Sequence, residues 1–296
     1  MKKNKKLVSL LTVAVSGLAL LLTAPAAWAG GSLHIAGSST VRPIAMAAAA
    51  EFGPANGVTF KIEGGGSSHG VTSVATGQTD IGDASRNIHD KEMAKWPTLV
   101  PHTVGYDGVT VILNKNVGIN ALTKEQIQKI YLGEITDWKE LGGPDEPIIL
   151  IDKEEGRSTL ELFLHFVGLE DKEVDGGKHM IHAKKGSEDW SKVKARIIGA
   201  NRQALVQVAN KRGAIGYVSI GDAVAFAEKT GKITLPSING IAASVANVKN
   251  QTFPVTRPLN MITKGPATGA AKAFIDFVMS PEGQKIVAKK NFVPVH

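Results

Sequence analysis

The sequence predicts a two-lobed α/β protein in which each lobe is a mostly parallel sheet flanked by helices. Short apolar runs alternate with longer helical patterns along most of the chain, and this alternation is typical of repeated β–α–β units. No internal repeat or low-complexity linker interrupts it. Two extended segments, 106–114 and 253–262, are expected to be crossover strands between the lobes. The first lobe is then discontinuous, formed by residues 30–106 and 254–296, and the second spans residues 107–253.

The individual elements follow from hydrophobic periodicity and from turn residues. One helix start is specified by a capping box, because Thr123 precedes the apolar pattern and Gln126 stands three residues later. The polar segment 170–187 is expected to be a surface excursion. Strands are predicted at 32–36, 58–62, 80–81, 99–104, 108–114 and 148–151, helices at 44–52, 71–75, 123–131, 158–167, 270–279 and 281–289, and further alternating segments at 205–209, 214–218 and 224–228.

The first 29 residues have the three parts of a secretory signal peptide. Four lysines lie within the first six residues, an apolar run follows at 7–22, and residues 27–29 read Ala-Trp-Ala, an A-x-A cleavage site. The apolar run is shorter than a bilayer span. Because the chain has no cysteine, no lipid can be attached to that residue type. We therefore expect cleavage after Ala29 and a protein that is free in the bacterial periplasm or exterior.

Charge and composition narrow the class of partner. The formal charge of +7 falls to about +3 once the lysines of the signal are removed. Nucleic-acid binding requires a basic stripe with interleaved aromatic side chains, whereas aromatic residues make up only 5% of this chain. Without cysteine, the exported fold depends on its hydrophobic core and not on disulfides. We expect a monomer with no nucleic-acid partner.

Three loops, each following a predicted strand and opening a predicted helix, carry the chemistry. Loop one is residues 37–40 (GSST), loop two is 64–70 (GGGSSHG), and loop three is 153–159 (KEEGRST). Each presents free N–H groups and hydroxyls at a helix N-terminus, where the unpaired donors and the helix dipole favour an anion. A single such loop is an ordinary turn with an N-cap. Three of them at the carboxyl ends of strands predict an oxyanion site, because open α/β sheets bind ligands there.

Eight stretches, distributed over nearly the whole chain after the signal, resemble the phosphate-binding proteins of bacterial phosphate ABC transporters. They are AGSSTVRPI (36–44), EGGGSSHGV (63–71), TDIGDASR (79–86), YDGVTVILN (106–114), IYLGEITDWKELGG (130–143), KEEGRST (153–159), GAIGYVS (213–219) and FPVTRPLNMIT (253–263). The resemblance implies the type II periplasmic binding-protein fold, inorganic phosphate or a similar oxyanion in the cleft, and delivery to a membrane permease. It implies no catalytic residue, no cofactor and no metal.

The resemblance also implies which residues contact the anion. Ser85 stands where well-known members carry an aspartate, and it is included among the phosphate-binding positions. Hydroxyls and N–H groups of the three loops supply the remaining neutral contacts, which come from Ser39, Thr40, Ser67, Ser158 and Thr159.

Two departures from the family pattern concern the charged groups. Many members have an arginine at the first position of loop three, where this chain has Lys153. We therefore predict that Arg157 supplies the charge-assisted pair with the anion, with Arg86 as the alternative, and that Lys153 is only a loop cation. Asp107 is the candidate to replace the missing aspartate as acceptor of the phosphate proton. Asp83 is the second candidate, and a turn role before a glycine is the alternative for Asp107.

Other readings of the same residues stay open. Residues 66–70 (GSSHG) fit the G-x-S-x-G pattern of a hydrolase nucleophile elbow, so a serine esterase or phosphatase with Ser68 as nucleophile is a competing class. No HGGG-type oxyanion motif accompanies it. A further alternative keeps the fold and changes the ligand to sulfate, molybdate or tungstate. His179 and His182 are interpreted as surface histidines and not as metal ligands, since no third ligand with helical spacing supports them.

Overall fold

The computed structural model describes residues 31–296, so the predicted signal peptide lies outside the described residues. Within this range, no helix has both the length and the apolar character needed to cross a bilayer.

Strands and helices alternate along the chain as predicted. In chain order the elements are β1 Ser32–Gly37, α1 Arg42–Asn56, β2 Thr59–Glu63, α2 Ser67–Ala75, β3 Ile81–Ala84, α3 Asp90–Lys95, β4 Leu99–Asn114, β5 Ala121–Leu122, α4 Lys124–Leu132, β6 Ile149–Lys153, α5 Ser158–Val167, β7 Leu169–Val174, β8 His179–Lys184, β9 Ala195–Ile198, α6 Asn201–Asn210, β10 Ala214–Ser219, α7 Ile220–Thr230, β11 Ile233–Thr234, β12 Ser237–Ile238, α8 Val245–Lys249, β13 Thr256–Lys264, α9 Gly269–Met279 and α10 Pro281–Lys289.

The first lobe is built on a sheet with the strand order β2-β1-β3-β13-β4. The β1 strand is parallel to β2 and β3, whereas β13 is antiparallel to both of its neighbours. One face packs on α1, α9 and α10 in a core that includes Ile35, Phe52 and Phe274. The opposite face packs on α2, where Val71 contacts a cluster that includes Ile262. Both faces are therefore covered, as expected for strands that are apolar on both sides.

The second lobe continues the sheet in the order β4-β10-β6-β9-β8-β7. Its central strands β10, β6 and β9 are parallel, and antiparallel pairs join them to β4 on one side and to β8 on the other. The larger core contains Trp138 from a short 3₁₀ helix, Tyr131 from α4 and Phe163 from α5. The opposite face packs on α6 and α7.

The two lobes share one long strand. Where the sequence predicts separate strands at 99–104 and 108–114, the structure has the single 16-residue strand β4. Residues 99–108 of β4 pair with β13, and residues 109–113 pair with β10 of the second lobe. We propose the predicted boundaries, between 106 and 107 and between 253 and 254, as the limits of the lobes.

The predicted capping box is confirmed at the start of α4. Thr123 Oγ1 accepts a hydrogen bond from the N–H of Gln126 at 3.1 Å, and Gln126 Oε1 accepts one from the N–H of Thr123 at 2.8 Å. The α2 helix begins at Ser67, four residues earlier than predicted. The glycine-rich stretch therefore ends in the helix itself, and its serines lie in the first turn.

The interpretation of segment 170–187 as a surface excursion is wrong. Most of it forms the antiparallel hairpin β7–β8, which extends the sheet of the second lobe. Met180 and His182 of β8 are buried whereas His179 and Ile181 are only partly buried, because successive side chains point to opposite faces of the sheet. His182 is fully buried, and its Nε2 lies 2.8 Å from Asp152 Oδ2. His179 is partly exposed beside Asp175, and no group of three potential metal ligands occurs among residues 31–296.

Candidate oxyanion site

The three predicted loops meet at the interface between the lobes. Loop one precedes α1, loop two leads into α2, and loop three leads into α5. Glycine is required where loops two and three touch, because Gly66 has a φ of +93° and a Cβ there would lie 2.8 Å from the carbonyl oxygen of Gly156. The N–H of Ser68 donates to the same carbonyl at 3.2 Å. The two lobes are therefore in direct backbone contact at this point.

Four buried serines, which we call the serine cluster, form a hydrogen-bonded chain across the lobes. Ser38 Oγ donates to Ser85 Oγ at 2.8 Å, and Ser85 Oγ lies 2.8 Å from Ser158 Oγ. Ser67 Oγ donates to Ser158 Oγ at 3.1 Å. Ser158 belongs to the second lobe and the other three to the first. The tertiary fold thus brings hydroxyls from distant parts of the chain to one point.

The serine cluster borders a small cavity between the lobes. The volume open to the centre of a water molecule is about 10 Å³, which is room for about one water. The cavity is lined by Ser38, Ser39, Thr40, Gly66, Ser67, Ser85, Lys153, Arg157, Ser158, Thr159, Gly199 and Asn201. Most of the predicted anion-binding residues are in this lining, and the two that are not are Arg86 and Asp107.

Arg257, which sequence reasoning missed, is the charged group with contacts to both sides of the cavity. It lies on β13 and is buried, with Nη2 donating to Thr40 Oγ1 at 3.1 Å. Its Nη1 donates to Thr159 Oγ1 at 3.1 Å and to Ser158 Oγ at 3.3 Å. The sequence signal for Arg257 is a single arginine within the mostly apolar extended segment 253–262, because a charged side chain is seldom buried unless it is paired.

Asp107 lies behind Arg257 and positions it. Asp107 Oδ2 accepts hydrogen bonds from Nη2 of Arg257 at 2.9 Å and from Nε at 3.1 Å. Its Oδ1 accepts one from the N–H of Gly221 at 3.2 Å. Both carboxylate oxygens thus have partners within the protein. Contact between Asp107 and an anion stays a prediction.

Lys153 is a buried member of the cavity lining and not an exposed loop cation, so that expectation was wrong. Only 1% of the residue is exposed, since it ends β6 and is covered by the residues that precede α6. Its Nζ donates to Asn201 Oδ1 at 3.3 Å and approaches the carbonyl of Gly199 at 3.5 Å. Burial lowers the pKa of Lys153 to about 7, and the nearby charge of Arg157 adds to this.

Arg157 lines the cavity at the N-cap of α5 and is less buried than Lys153. Its Nη2 forms an ion pair with Glu154 Oε2 at 2.6 Å, and its Nε donates to the same oxygen at 3.2 Å. Its Nη1 is buried and, within the described residues, has no hydrogen-bond partner. Nη1 therefore has hydrogens available to an anion in the cavity, and contact between Arg157 and an anion stays a prediction.

Arg86 lies at the rim of the cleft, where it links the lobes. Both terminal nitrogens donate to the carboxylate of Glu92 at 2.8 Å, and Nη2 also donates to Ser68 Oγ at 3.1 Å. Across the interface, its Nε lies 3.2 Å from Glu161 Oε2 on α5. His89 Nε2 is also 3.2 Å from that oxygen. We call Arg86, His89 and Glu161 the rim latch.

Two further carboxyl groups lie close to the site. Asp83 is fully buried, neither of its side-chain oxygens has a hydrogen-bond partner among residues 31–296, and burial raises its pKa well above the usual range. Asp222, at the start of α7, accepts a hydrogen bond from Asn201 Nδ2 at 2.7 Å. Asn201 Nδ2 also donates to Thr40 Oγ1 at 2.9 Å. Burial raises the pKa of Asp222, whereas the hydrogen bond from Asn201 lowers it. Neither aspartate is in the cavity lining.

Ser68, the nucleophile of the competing hydrolase reading, is held in a structural role. Its Oγ accepts a hydrogen bond from Arg86, and within the described residues no histidine is bonded to it. A serine nucleophile requires an adjacent base to take its proton. The G-x-S-x-G pattern at 66–70 therefore coincides with a loop that lacks the hydrolase arrangement.

Comparison with known proteins agrees with this architecture. Residues 23–282 match the PBP superfamily domain. Over 270 residues the chain is 33% identical to the phosphate-binding protein PstS of Bacillus subtilis (strain 168), covering 90% of this chain and 82% of that one. A Clostridium perfringens substrate-binding protein assigned to a phosphate ABC transporter, solved with bound phosphate, superposes with a TM-score of 0.77 at 32% identity, covering 90% of this chain and 100% of that one. An ABC-type phosphate transport receptor of Vibrio cholerae shares the fold, with a TM-score of 0.65 at 24% identity over 88% of this chain and 99% of that one.

The fold and the interlobe site define a two-lobed solute-binding protein of the periplasmic binding-protein type. Within that class, the chain belongs to the PBP superfamily and to its family of PstS phosphate-binding proteins, which are transport proteins and not enzymes.

Proposed function

We propose that this protein captures inorganic phosphate between its lobes and delivers it to the permease of an ABC transporter. The observation that carries the proposal is the convergence of three helix starts and the serine cluster on one interlobe cavity, with the buried Arg257 bonded to Thr40, Ser158 and Thr159 of its lining. Hydroxyls, free N–H groups and a guanidinium are the donors that an oxyanion requires. Relatives that are named for phosphate binding support phosphate as the ligand.

The proposed ligand contacts come from both lobes. The serine cluster hydroxyls bond to one another in the closed form, and a tetrahedral anion between them would accept those hydrogen bonds instead. Arg257 and Lys153 supply positive charge in addition to Arg157. Arg86 and Asp107, which were predicted as direct contacts, lie outside the cavity lining, so we propose that they position other groups, and their direct contact with the anion stays the alternative. The neutral contacts are Ser39, Thr40, Ser67, Ser85, Ser158 and Thr159.

The proposed cycle is a hinge closure about β4 and β13. A water-sized cavity cannot admit phosphate, so the ion enters when loop three is separated from loops one and two. Closure then removes water and strengthens each charge-assisted hydrogen bond, because the local dielectric constant falls. Arg257 lies on a crossover strand and contacts residues of both lobes, so its contacts couple closure to the ligand.

Isothermal titration calorimetry with phosphate, sulfate and molybdate at two pH values tests the choice of ligand. We expect phosphate to bind more tightly than either competitor. Tighter binding of sulfate or molybdate would transfer the proposal to that anion, and absence of binding of all three would refute it. The unmodified protein is expected to turn over no ester substrate, and Ser68→Ala is expected to leave anion binding unchanged; ester turnover that is lost in Ser68→Ala would favour the hydrolase hypothesis.

We also propose that the chain is exported to the periplasm or the cell exterior with cleavage after Ala29, and that the mature protein is a monomer. Mass spectrometry of the exported protein should give an N-terminus at Gly30. Analytical ultracentrifugation of the same material should give the mass of one chain. An N-terminus upstream of the apolar run 7–22 would contradict cleavage.

A further inference from the structure

Lys153 is buried without a counter-ion. Only 1% of Lys153 is exposed. Its Nζ donates hydrogen bonds to two neutral oxygens, Asn201 Oδ1 at 3.3 Å and the Gly199 carbonyl at 3.5 Å. Among residues 31–296 no carboxylate oxygen lies within 4.0 Å of this nitrogen, since no ion pair of Lys153 is formed. A charged ammonium in such a place is strongly disfavoured relative to water.

The charged groups that face Lys153 come from four elements, and each acid among them has another partner. Asp152 lies on β6 next to Lys153. Its Oδ1 accepts a hydrogen bond from the Tyr217 hydroxyl, and its Oδ2 lies 2.8 Å from His182 Nε2. On α7, Asp222 is bonded to Asn201.

The two facing cations are those of loop three and of β13. Arg157 is paired with Glu154, and Arg257 is paired with Asp107. Burial is the main cause that lowers the pKa of Lys153 to about 7. The positive charges of Arg157 and Arg257 also lower it, because they disfavour a third cation nearby. Near neutral pH the amine is therefore divided between its two forms.

An anion in the cavity would supply the counter-ion that the protein does not provide. We propose that Lys153 takes up a proton when the anion binds, so that phosphate capture by this chain is coupled to proton uptake. This inference rests on the proposed function, since it concerns the same cavity. It distinguishes this chain from a relative with arginine at the position, because arginine is always protonated and has no proton to gain.

The proton has two sources, according to the ionisation state of the ligand. When HPO₄²⁻ binds, the neutral amine takes a proton from solvent and becomes an ammonium. When H₂PO₄⁻ binds, its P–OH donates to the amine nitrogen, and transfer of that proton gives HPO₄²⁻ beside an ammonium. The bound state is the same in both cases. In this role Lys153 accepts the phosphate proton, a task for which no carboxylate is present in the cavity lining.

The test is calorimetric titration of the mature protein with phosphate in buffers of different ionisation enthalpy, which gives the number of protons taken up per ion bound. A group with a pKa of about 7 is half protonated at pH 7, so Lys153 should add about half a proton per anion at pH 7 and about one at pH 8. The Lys153→Arg protein carries a permanent charge at this position. Its proton uptake per anion should therefore be lower than that of the unmodified protein by the contribution of Lys153 at each pH. We expect both proteins to bind HPO₄²⁻, since each then holds a cation at residue 153, so the proton change of phosphate itself cancels in the difference.

Asp222→Asn is the matched variant, because Asp222 is the other facing group whose pKa is shifted toward neutrality. It should retain at least the proton uptake that Lys153→Arg loses, because the charge of Asp222 raises the pKa of Lys153 and its removal leaves more neutral amine to protonate. Equal uptake in the unmodified protein and in Lys153→Arg would overturn the inference, as would loss of uptake in Asp222→Asn alone. If the unmodified protein binds no phosphate, the proposed function fails instead.

A second measurement covers the case in which Lys153→Arg does not fold or bind. The Cε resonance of Lys153 in ¹³C-lysine-labelled protein reports its protonation directly, and Lys153→Met assigns the signal by its absence. We expect it to titrate near pH 7 in the free protein and to stay in the ammonium position to above pH 9 with saturating phosphate. An unchanged midpoint on binding would overturn the inference.

Discussion

The carboxylate of Asp107 holds the guanidinium of Arg257 through two hydrogen bonds, with Oδ2 2.9 Å from Nη2 and 3.1 Å from Nε. The two residues are direct partners in the ladder between β4 and β13, the strands on which the lobes meet. Only 1% of each side chain is exposed. The charge that contacts both lobes is therefore anchored at the hinge and not in a mobile loop.

Arg257→Lys should lower phosphate affinity by about 10- to 100-fold, because a lysine cannot contact Thr40 and Thr159 while paired with Asp107, and charge-assisted hydrogen bonds of about 1.5–3 kcal/mol are lost. Calorimetry measures the dissociation constant. Arg212→Lys is the control, since Arg212 is exposed and its contact is a surface ion pair with Glu146. Equal affinities of the two variants would show that Arg257 is not a ligand.

Asp107→Asn distinguishes a positioning role from direct contact with the phosphate proton. If Asp107 acts only by holding Arg257, the variant should weaken phosphate and sulfate by the same factor. It should also lower the free energy of unfolding by about 3 kcal/mol or more, since a buried arginine loses its ionic partner. Calorimetry with both anions and urea denaturation check this. A selective loss of phosphate would instead assign Asp107 as the acceptor that the sequence analysis predicted.

Glu161→Gln should weaken the rim latch and favour the open form. The ion pair of Glu161 with Arg86 and its contact with His89 join the lobes only when they are closed, and a partly exposed ion pair contributes about 0.2–1 kcal/mol. We expect phosphate affinity to fall about two- to fivefold, mainly through faster dissociation measured by stopped-flow kinetics. Glu228→Gln, an exposed change on α7, is the control. An unchanged dissociation rate in Glu161→Gln would contradict the latch.

Asp83→Asn should change how stability depends on pH. Burial raises the pKa of Asp83 well above its usual value, so the folded protein keeps this proton at pH values where the unfolded chain, with a pKa near 3.8, has lost it. The stability of the unmodified protein then falls as pH rises above about 4, by up to about 1.4 kcal/mol per pH unit for this group.

Asp83→Asn has no proton to lose, so its advantage over the unmodified protein should grow from pH 4 to pH 7 in urea denaturation. Asp189→Asn, at an exposed position, should show no such trend. A difference between Asp83→Asn and the unmodified protein that does not vary with pH would mean that Asp83 is ionised in the folded state.

Local signals explain which parts of the fold and site were predictable. The helix start at Thr123 depends on a residue three positions away, and the three loops that line the cavity depend on adjacent glycines and hydroxyls, so both are visible in short stretches. The extent of β4 was missed because its continuity depends on pairing with β13 and β10, which are remote in the chain. His182 was misread because burial of a β-hairpin face depends on what covers it.

The sequence by itself determined the α/β class, the three loops at helix starts that meet between the lobes and most of the hydroxyl-bearing residues in the cavity lining, because backbone preferences and N-terminal helix donors are properties of neighbouring residues. Only the tertiary structure decided which charges reach that cavity. Arg257 contacts Thr40 and Thr159 of the cavity lining through the register of two crossover strands, and Lys153 is buried where Gly199 and Asn201 at the start of α6 lie against its Nζ. Charge pairing and desolvation depend on distances between remote segments, so the ionic character of the site is set by packing.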